Sequence, residues 1–127
     1  LSPVGPSSHV FLSNRAAALL SLKRYSAASV DARRAVALAP TFGKAHARLG
    51  QALYFLRDYA GAVGAYEEAV KYEPDNAVTW TYLTKAKTKL EKQKDRAKRR
   101  ARGEDVSEAE SVNVTLVNSV VTDPKRK

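Results

Sequence analysis

Three side chains able to grip an anion share one helical period. Asn14 and Arg48 stand 34 residues apart, and Lys44 lies four residues before Arg48, one helical turn earlier. In a chain that repeats with that spacing, positions 34 apart fall at equivalent places on neighbouring helices. An amide, an ammonium and a guanidinium brought together in this way suit a carboxylate, whose oxygens accept several charge-assisted hydrogen bonds at once. Taken singly, Lys44 and Arg48 fit a solvated helix face and Asn14 fits surface filler; their common phase lifts them above that reading.

The elements that must position these groups announce themselves by repetition. Tyr25, Ala28, Ala35, Val36 and Pro40 recur as Tyr59, Ala62, Ala69, Val70 and Pro74. The alanines mark close approaches between two antiparallel helices, the larger residues fill the wider gaps, and proline ends the second helix by lacking an N–H and restricting its neighbour. Helical periodicity predicts segments over 9–23, 24–39, 42–56, 59–72 and 77–102, with Thr41, Asp58 and Asp75 or Asn76 as caps. Tyr25, Tyr59, Tyr66 and Trp80 fall at core positions.

Composition excludes several kinds of chemistry. The chain has 127 residues and no Cys, which rules out disulfides and thiolate metal ligands. His9 and His46 are its two histidines, and no His-Glu-x-x-His, glycine-rich phosphate loop or serine elbow is present, so no enzyme is expected and no cofactor or metal. There is no apolar run long enough to span a bilayer and no secretory leader at the start, which predicts a cytoplasmic protein with access to the nucleus. The absence of Met and the start at Leu1 read as a piece of a longer chain.

The net charge is +9, but residues 1–84 hold only +3 of it and residues 85–127 hold +6. The densest stretch, Lys94, Arg96, Lys98, Arg99, Arg100 and Arg102, lies on a helix running to Gly103. It has no interleaved aromatics for base stacking and no apolar face for a membrane. A solvated helix extension is the plain reading; an import signal or a site for acidic partners or nucleic acid is the alternative.

The period and the residues within it resemble the tetratricopeptide repeat family over residues 9–90. The second repeat carries Leu49, Gly50, Ala62, Tyr66, Ala69 and Pro74 at signature positions, with His46 in place of the leading Trp. The first carries Ala16, Leu19, Ala28, Ala32, Ala35 and Pro40, with Leu12 in the Trp slot and Arg15 departing from Leu. Trp80 and Leu83 then open a third helix in phase, after which Thr84, Lys87 and Thr88 turn the pattern polar. The resemblance implies an all-α fold of helix-turn-helix repeats stacked as a right-handed superhelical array with a long C-terminal capping helix. The expected divisions are a linker or end of a preceding repeat at 1–8, repeats at 9–42 and 43–76, a capping helix with a basic extension at 77–103, and a tail at 104–127.

It further implies a concave groove lined by the first helix of each repeat. That face would show Val10, Ser13, Asn14 and Ala17, then Lys44, Ala47, Arg48 and Gln51, then Tyr82 and Lys85, with Tyr54 and Phe55 framing a peptide pocket. No acidic residue falls on the inferred groove. The segments around Asn14 and from Gly43 to Arg48 look like those carrying the carboxylate clamp of co-chaperones, of the small glutamine-rich and organising kinds, which hold the C-terminal Glu-Glu-Val-Asp tails of heat-shock chaperones. By that similarity Asn14, Lys44 and Arg48 bind the terminal carboxylate and the last Asp, while the clamp's other Lys and Asn belong to a repeat upstream. A noncatalytic adaptor for chaperone tails is the function implied, with a scaffold for some other peptide as its rival and the oligomeric state left open.

Overall fold

The computed structural model describes residues 8–103. Five helices account for almost all of them: α1 (Ser8–Ser21), α2 (Tyr25–Leu38), α3 (Gly43–Phe55), α4 (Tyr59–Tyr72) and α5 (Ala77–Ala101). No strand occurs among the described residues. The expected leading segment before position 8 and the tail from 104 lie outside them. The described residues divide after Leu90 into two units, 8–90 and 91–103. Within the first, α1 packs on α2, α2 on α3, α3 on α4 and α1 on α3.

Both hairpins turn in the same way because the same backbone hydrogen bonds close them. Lys23 and Arg24 donate to the carbonyls of Leu20 and Leu19, and 34 residues later Arg57 and Asp58 donate to those of Tyr54 and Leu53. The turn residue is left-handed each time, with φ of 60° at Lys23 and 67° at Arg57. Asp58 caps α4 as expected, accepting from the Gly61 amide at 2.9 Å. Asn76 caps α5, its Oδ1 accepting from Val78 and Thr79. Thr41 does not cap α3: the N-cap is Phe42, without a side-chain hydrogen bond, because the chain enters the helix one residue later and turns Phe42 toward Ala45 and Leu12.

Small residues set the distance between helices. Ala16, Ala28, Ala32, Ala52 and Ala62 are fully buried, with Leu20, Leu49, Leu53, Tyr66, Val70 and Leu83 in the gaps. The closest approach is at Gly50, where an added Cβ would lie 2.8–3.0 Å from the Tyr66 ring. Gly64 on α4 meets nothing within 4 Å.

Three positions on successive first helices show what stacking does. Ala45, Leu49 and Ala52 on α3 and their equivalents Thr79, Leu83 and Ala86 on α5 are all buried. The corresponding face of α1, Phe11, Arg15 and Ala18, is exposed, with Phe11 at 50%. The first hairpin also replaces an apolar pair by an ionic one. Where the second has Leu49 and Ala65, both in the core, the first has Arg15 and Asp31. Arg15 Nε donates to Asp31 Oδ2 at 2.6 Å and Nη2 to Oδ1 at 3.0 Å, a two-pronged pair in which Asp31 is buried and Arg15 half-exposed. The hydrogen bond and charge of Asp31 hold the guanidinium above its already high range, and Phe11 lies beneath it at 5.1 Å.

A second element of the repeat is a ring N–H bonded to the proline that ends the preceding helix. His46 Nε2 donates to the Pro40 carbonyl at 2.7 Å, and 34 residues later Trp80 Nε1 donates to the Pro74 carbonyl at 2.8 Å. Trp80 is nevertheless 47% exposed rather than core. His46 is covered by Tyr72 of its own partner helix, whereas no described helix follows α5 to cover Trp80.

Two comparisons check this packing. Gly50→Ala should lose on the order of 1 kcal/mol in urea or thermal unfolding, because overpacking costs about 1–3 kcal/mol and helix propensity returns at most about 1. Gly64→Ala, with open space around it, should gain up to about 1 kcal/mol. Arg15→Leu alone should lower the unfolding midpoint by leaving Asp31 buried without its partner, and adding Asp31→Ala, which copies the second repeat, should restore or exceed the original.

Candidate functional site

Lys44, Ala47, Arg48 and Gln51 share one face of α3 by their three- and four-residue spacing, and together they line a pocket of about 150 Å³. Tyr66 of α4 and Glu73 just after it supply further wall, and the start of α5 closes the pocket with Asn76, Val78, Thr79 and Tyr82. The rings of Tyr66 and Tyr82 stack at 6.0 Å and 18°. One side is cationic and the other aromatic.

Two residues of this lining each carry a buried polar atom with no hydrogen-bond partner among the described residues: Arg48 at Nε and Tyr66 at its hydroxyl. Burial, with Tyr82 and Tyr54 near, pushes the Tyr66 phenol above its ordinary range, so it remains a neutral donor at physiological pH. Such orphaned donors are rare in folded proteins because each costs about 1–3 kcal/mol to bury unsatisfied.

The groove is not free of acid. Glu73 stands in the same lining as Lys44 and Arg48. Its Cγ would lie 2.7 Å from a Cβ at Gly43, so the glycine opening α3 leaves room for it. Glu73 belongs to the chain leaving a second helix, so a search confined to first-helix faces does not find it.

The other expected groove residues have different surroundings. Asn14 and Val10 are exposed and Ala17 half-buried on α1, all outside the pocket lining. Ser13 is buried and lies outside the pocket lining. Phe55 stacks on Tyr25 of the first hairpin at 4.9 Å, and Tyr54 meets Phe55 and Tyr59 edge-on within the second, so neither frames the pocket. Lys85 sets its ammonium 5.2 Å from the Tyr82 ring. Tyr66, Asn76 and Thr79 are pocket residues that spacing on the first helices does not reveal, whereas Val78, 34 residues after Lys44, falls on the face that the period marks. Tyr66 does carry a signal, since it stands where the repeat signature has Phe and therefore brings a hydroxyl that packing does not require.

In the second unit, residues 91–101 continue α5 as a mainly exposed basic helix. Lys94, Lys98 and Arg100 are exposed there, Arg96 is half-buried, and Arg99 approaches Asp95 at 4.0 Å, with Arg102 just past the helix end. Among the described residues no cluster of His, Asp and Glu could hold a metal, and no helix is long and apolar enough to cross a membrane.

Comparison with known proteins agrees with this architecture. The family model for the tetratricopeptide repeat matches residues 43–76. Small glutamine-rich tetratricopeptide repeat-containing protein 2 of Mycosarcoma maydis is 40% identical over 87 residues, which is 68% of this chain and 25% of that protein. The Hsp70-Hsp90 organizing protein of Triticum aestivum is 45% identical over 73 residues, 58% of this chain and 13% of that one. This chain thus spans a quarter or less of the length of these two curated relatives. The crystal structure of the Sgt2 tetratricopeptide domain from Aspergillus fumigatus superposes with a TM-score of 0.67 at 34% identity, covering 71% of this chain and 61% of that one. Repeat phase, helix packing and these likenesses make this a tetratricopeptide repeat domain, a noncatalytic interaction module similar to those of the small glutamine-rich and organizing co-chaperones.

Proposed function

We propose that the pocket beside α3 binds the free C-terminal carboxylate of an acidic peptide, and that the domain serves a cytoplasmic co-chaperone adaptor for heat-shock chaperone tails ending in Glu-Glu-Val-Asp. The observation that carries the reading is the pairing of Lys44 and Arg48 on one pocket wall with an Arg48 Nε–H that no atom of the described residues accepts. A carboxylate supplies the missing acceptor and the opposite charge together. Asn14, at the Arg48-equivalent place on α1 and outside this pocket's lining, is the third donor in this proposal, for a ligand that reaches across α3 to α1. The names of the relatives, which include an Hsp70-Hsp90 organizing protein, support the chaperone assignment.

Three donors hold a carboxylate less firmly than the five of the family clamp. With each charge-assisted bond at about 1.5–3 kcal/mol, two absent donors weaken binding on the order of a hundred- to ten-thousandfold. Glu73 weakens it further by setting a carboxylate near the cationic wall.

Binding in this weak range is measurable by chemical-shift titration of the isotopically labelled chain. A pentapeptide ending in Glu-Glu-Val-Asp should shift amides around Lys44 and Arg48, and the same peptide with an amidated C-terminus should bind at least about tenfold more weakly. Equal affinity for the acid and the amide would show that no terminal carboxylate is held there. Arg48→Ala should lose about tenfold or more with little change in thermal midpoint. Neutralising Lys98, Arg99 and Arg100 should leave the peptide unaffected and reduce only salt-sensitive association with a polyanion such as heparin.

Glu73→Gln provides a test of opposite sign. Removing one partly screened negative charge should strengthen the acidic peptide about two- to fivefold at low ionic strength, with the gain shrinking as salt is added. An unchanged affinity would place Glu73 too far from the ligand to matter.

A further inference from the structure

The Tyr66 hydroxyl makes no hydrogen bond among the described residues. Its residue is 2% exposed, its ring packs on Gly50 and stacks on Tyr82, and a phenylalanine would make the same contacts. Yet the oxygen is buried and unpartnered, in a side chain that lines the same pocket as Arg48. A buried hydroxyl without a partner disfavours the fold, so its presence where packing asks only for a ring calls for another role.

We propose that Tyr66 is a ligand-contact residue whose hydroxyl donates a hydrogen bond to a main-chain carbonyl of the bound peptide. The inference rests on the carboxylate-binding reading of the same pocket and adds a second point of recognition to it. The chemistry selects the acceptor. Burial holds the phenol in its neutral form, with the Tyr82 ring stacked on its own, a setting in which a second carboxylate would be poorly solvated. A peptide carbonyl is a neutral acceptor of the right strength, and it brings an N–H that the side-chain carbonyl of Gln51, on the α3 wall, can accept. Arg48 thus reads the charge at the end of the ligand while Tyr66 and Gln51 read its backbone. Recognition then combines the first helix of the repeat with the second, through a residue that Gly50 alone allows so close to α3.

Tyr66→Phe tests this with minimal disturbance, because it removes one oxygen and keeps the ring. The variant should unfold at the same temperature as the original or higher, having lost an unsatisfied polar atom. Its affinity for the free-acid pentapeptide, by the same chemical-shift titration, should fall about three- to tenfold. Replacing each peptide amide in turn by an ester weakens one carbonyl acceptor and removes the N–H of the same linkage, so the carbonyl's share is read from how the loss changes between the original protein and Tyr66→Phe. One of these esters should bind the original protein more weakly but show little extra loss with Tyr66→Phe, as expected when both changes remove the same bond.

The outcomes separate the two proposals. If Tyr66→Phe binds as tightly as the original while the free acid still outbinds the amide, the hydroxyl contact is wrong and the carboxylate reading survives. If acid and amide bind equally but Tyr66→Phe weakens both, the carboxylate reading fails and the hydroxyl contact stands. No chemical-shift change with millimolar peptide overturns both.

Discussion

Close approach between helices at alanine and glycine is the constraint on which the rest of this domain depends. A helix pair can come together only as far as its side chains allow, and at Ala16, Ala28, Ala32, Ala52 and Ala62 the side chains are single methyl groups fully removed from solvent. Gly50 goes one step further and admits the face of the Tyr66 ring. That contact fixes where the ring lies, and the ring in turn forms a wall of the pocket beside α3. The pocket is therefore not an appendage to the core. Its aromatic side is the outer surface of the same packing that holds the hairpins together, since Tyr66 belongs to the core and Tyr82 packs against it.

Polar interactions adjust this frame at particular positions. The Arg15–Asp31 pair stands in the first hairpin where Leu49 and Ala65 stand in the second. Burying a carboxylate is costly unless a cation satisfies both oxygens, and Arg15 reaches both. The exposed face of α1 makes the exchange tolerable, because the guanidinium keeps its other side in water. The ring N–H bonds of His46 and Trp80 act differently. Each holds a proline carbonyl left without a helical partner, and so fixes the angle at which the next first helix begins.

A module of this kind has little chemical apparatus and needs little. Its proposed work is selective adhesion, for which a small pocket with one strong charge feature and a few directed donors suffices. The mixed lining is informative in that respect: Glu73 shares it with Lys44 and Arg48, so the site is not uniformly cationic.

The class of fold, the 34-residue phase, the hairpin boundaries to within a residue or two, the Asp58 and Asn76 caps, and the shared face of Lys44 and Arg48 were all legible in the order of residues. These follow from local rules: helical period, turn geometry, and the inability of proline to continue a helix. Packing settled what local rules cannot reach. Glu73 entered the pocket from the far end of α4, Ser13 was buried, Phe55 turned to meet Tyr25 of the other hairpin, and Trp80 stayed exposed although its equivalents Leu12 and His46 are covered. Each of those outcomes depends on which neighbouring helix covers a given face. Helical period tells which residues share a face, but only packing tells what, if anything, lies opposite it.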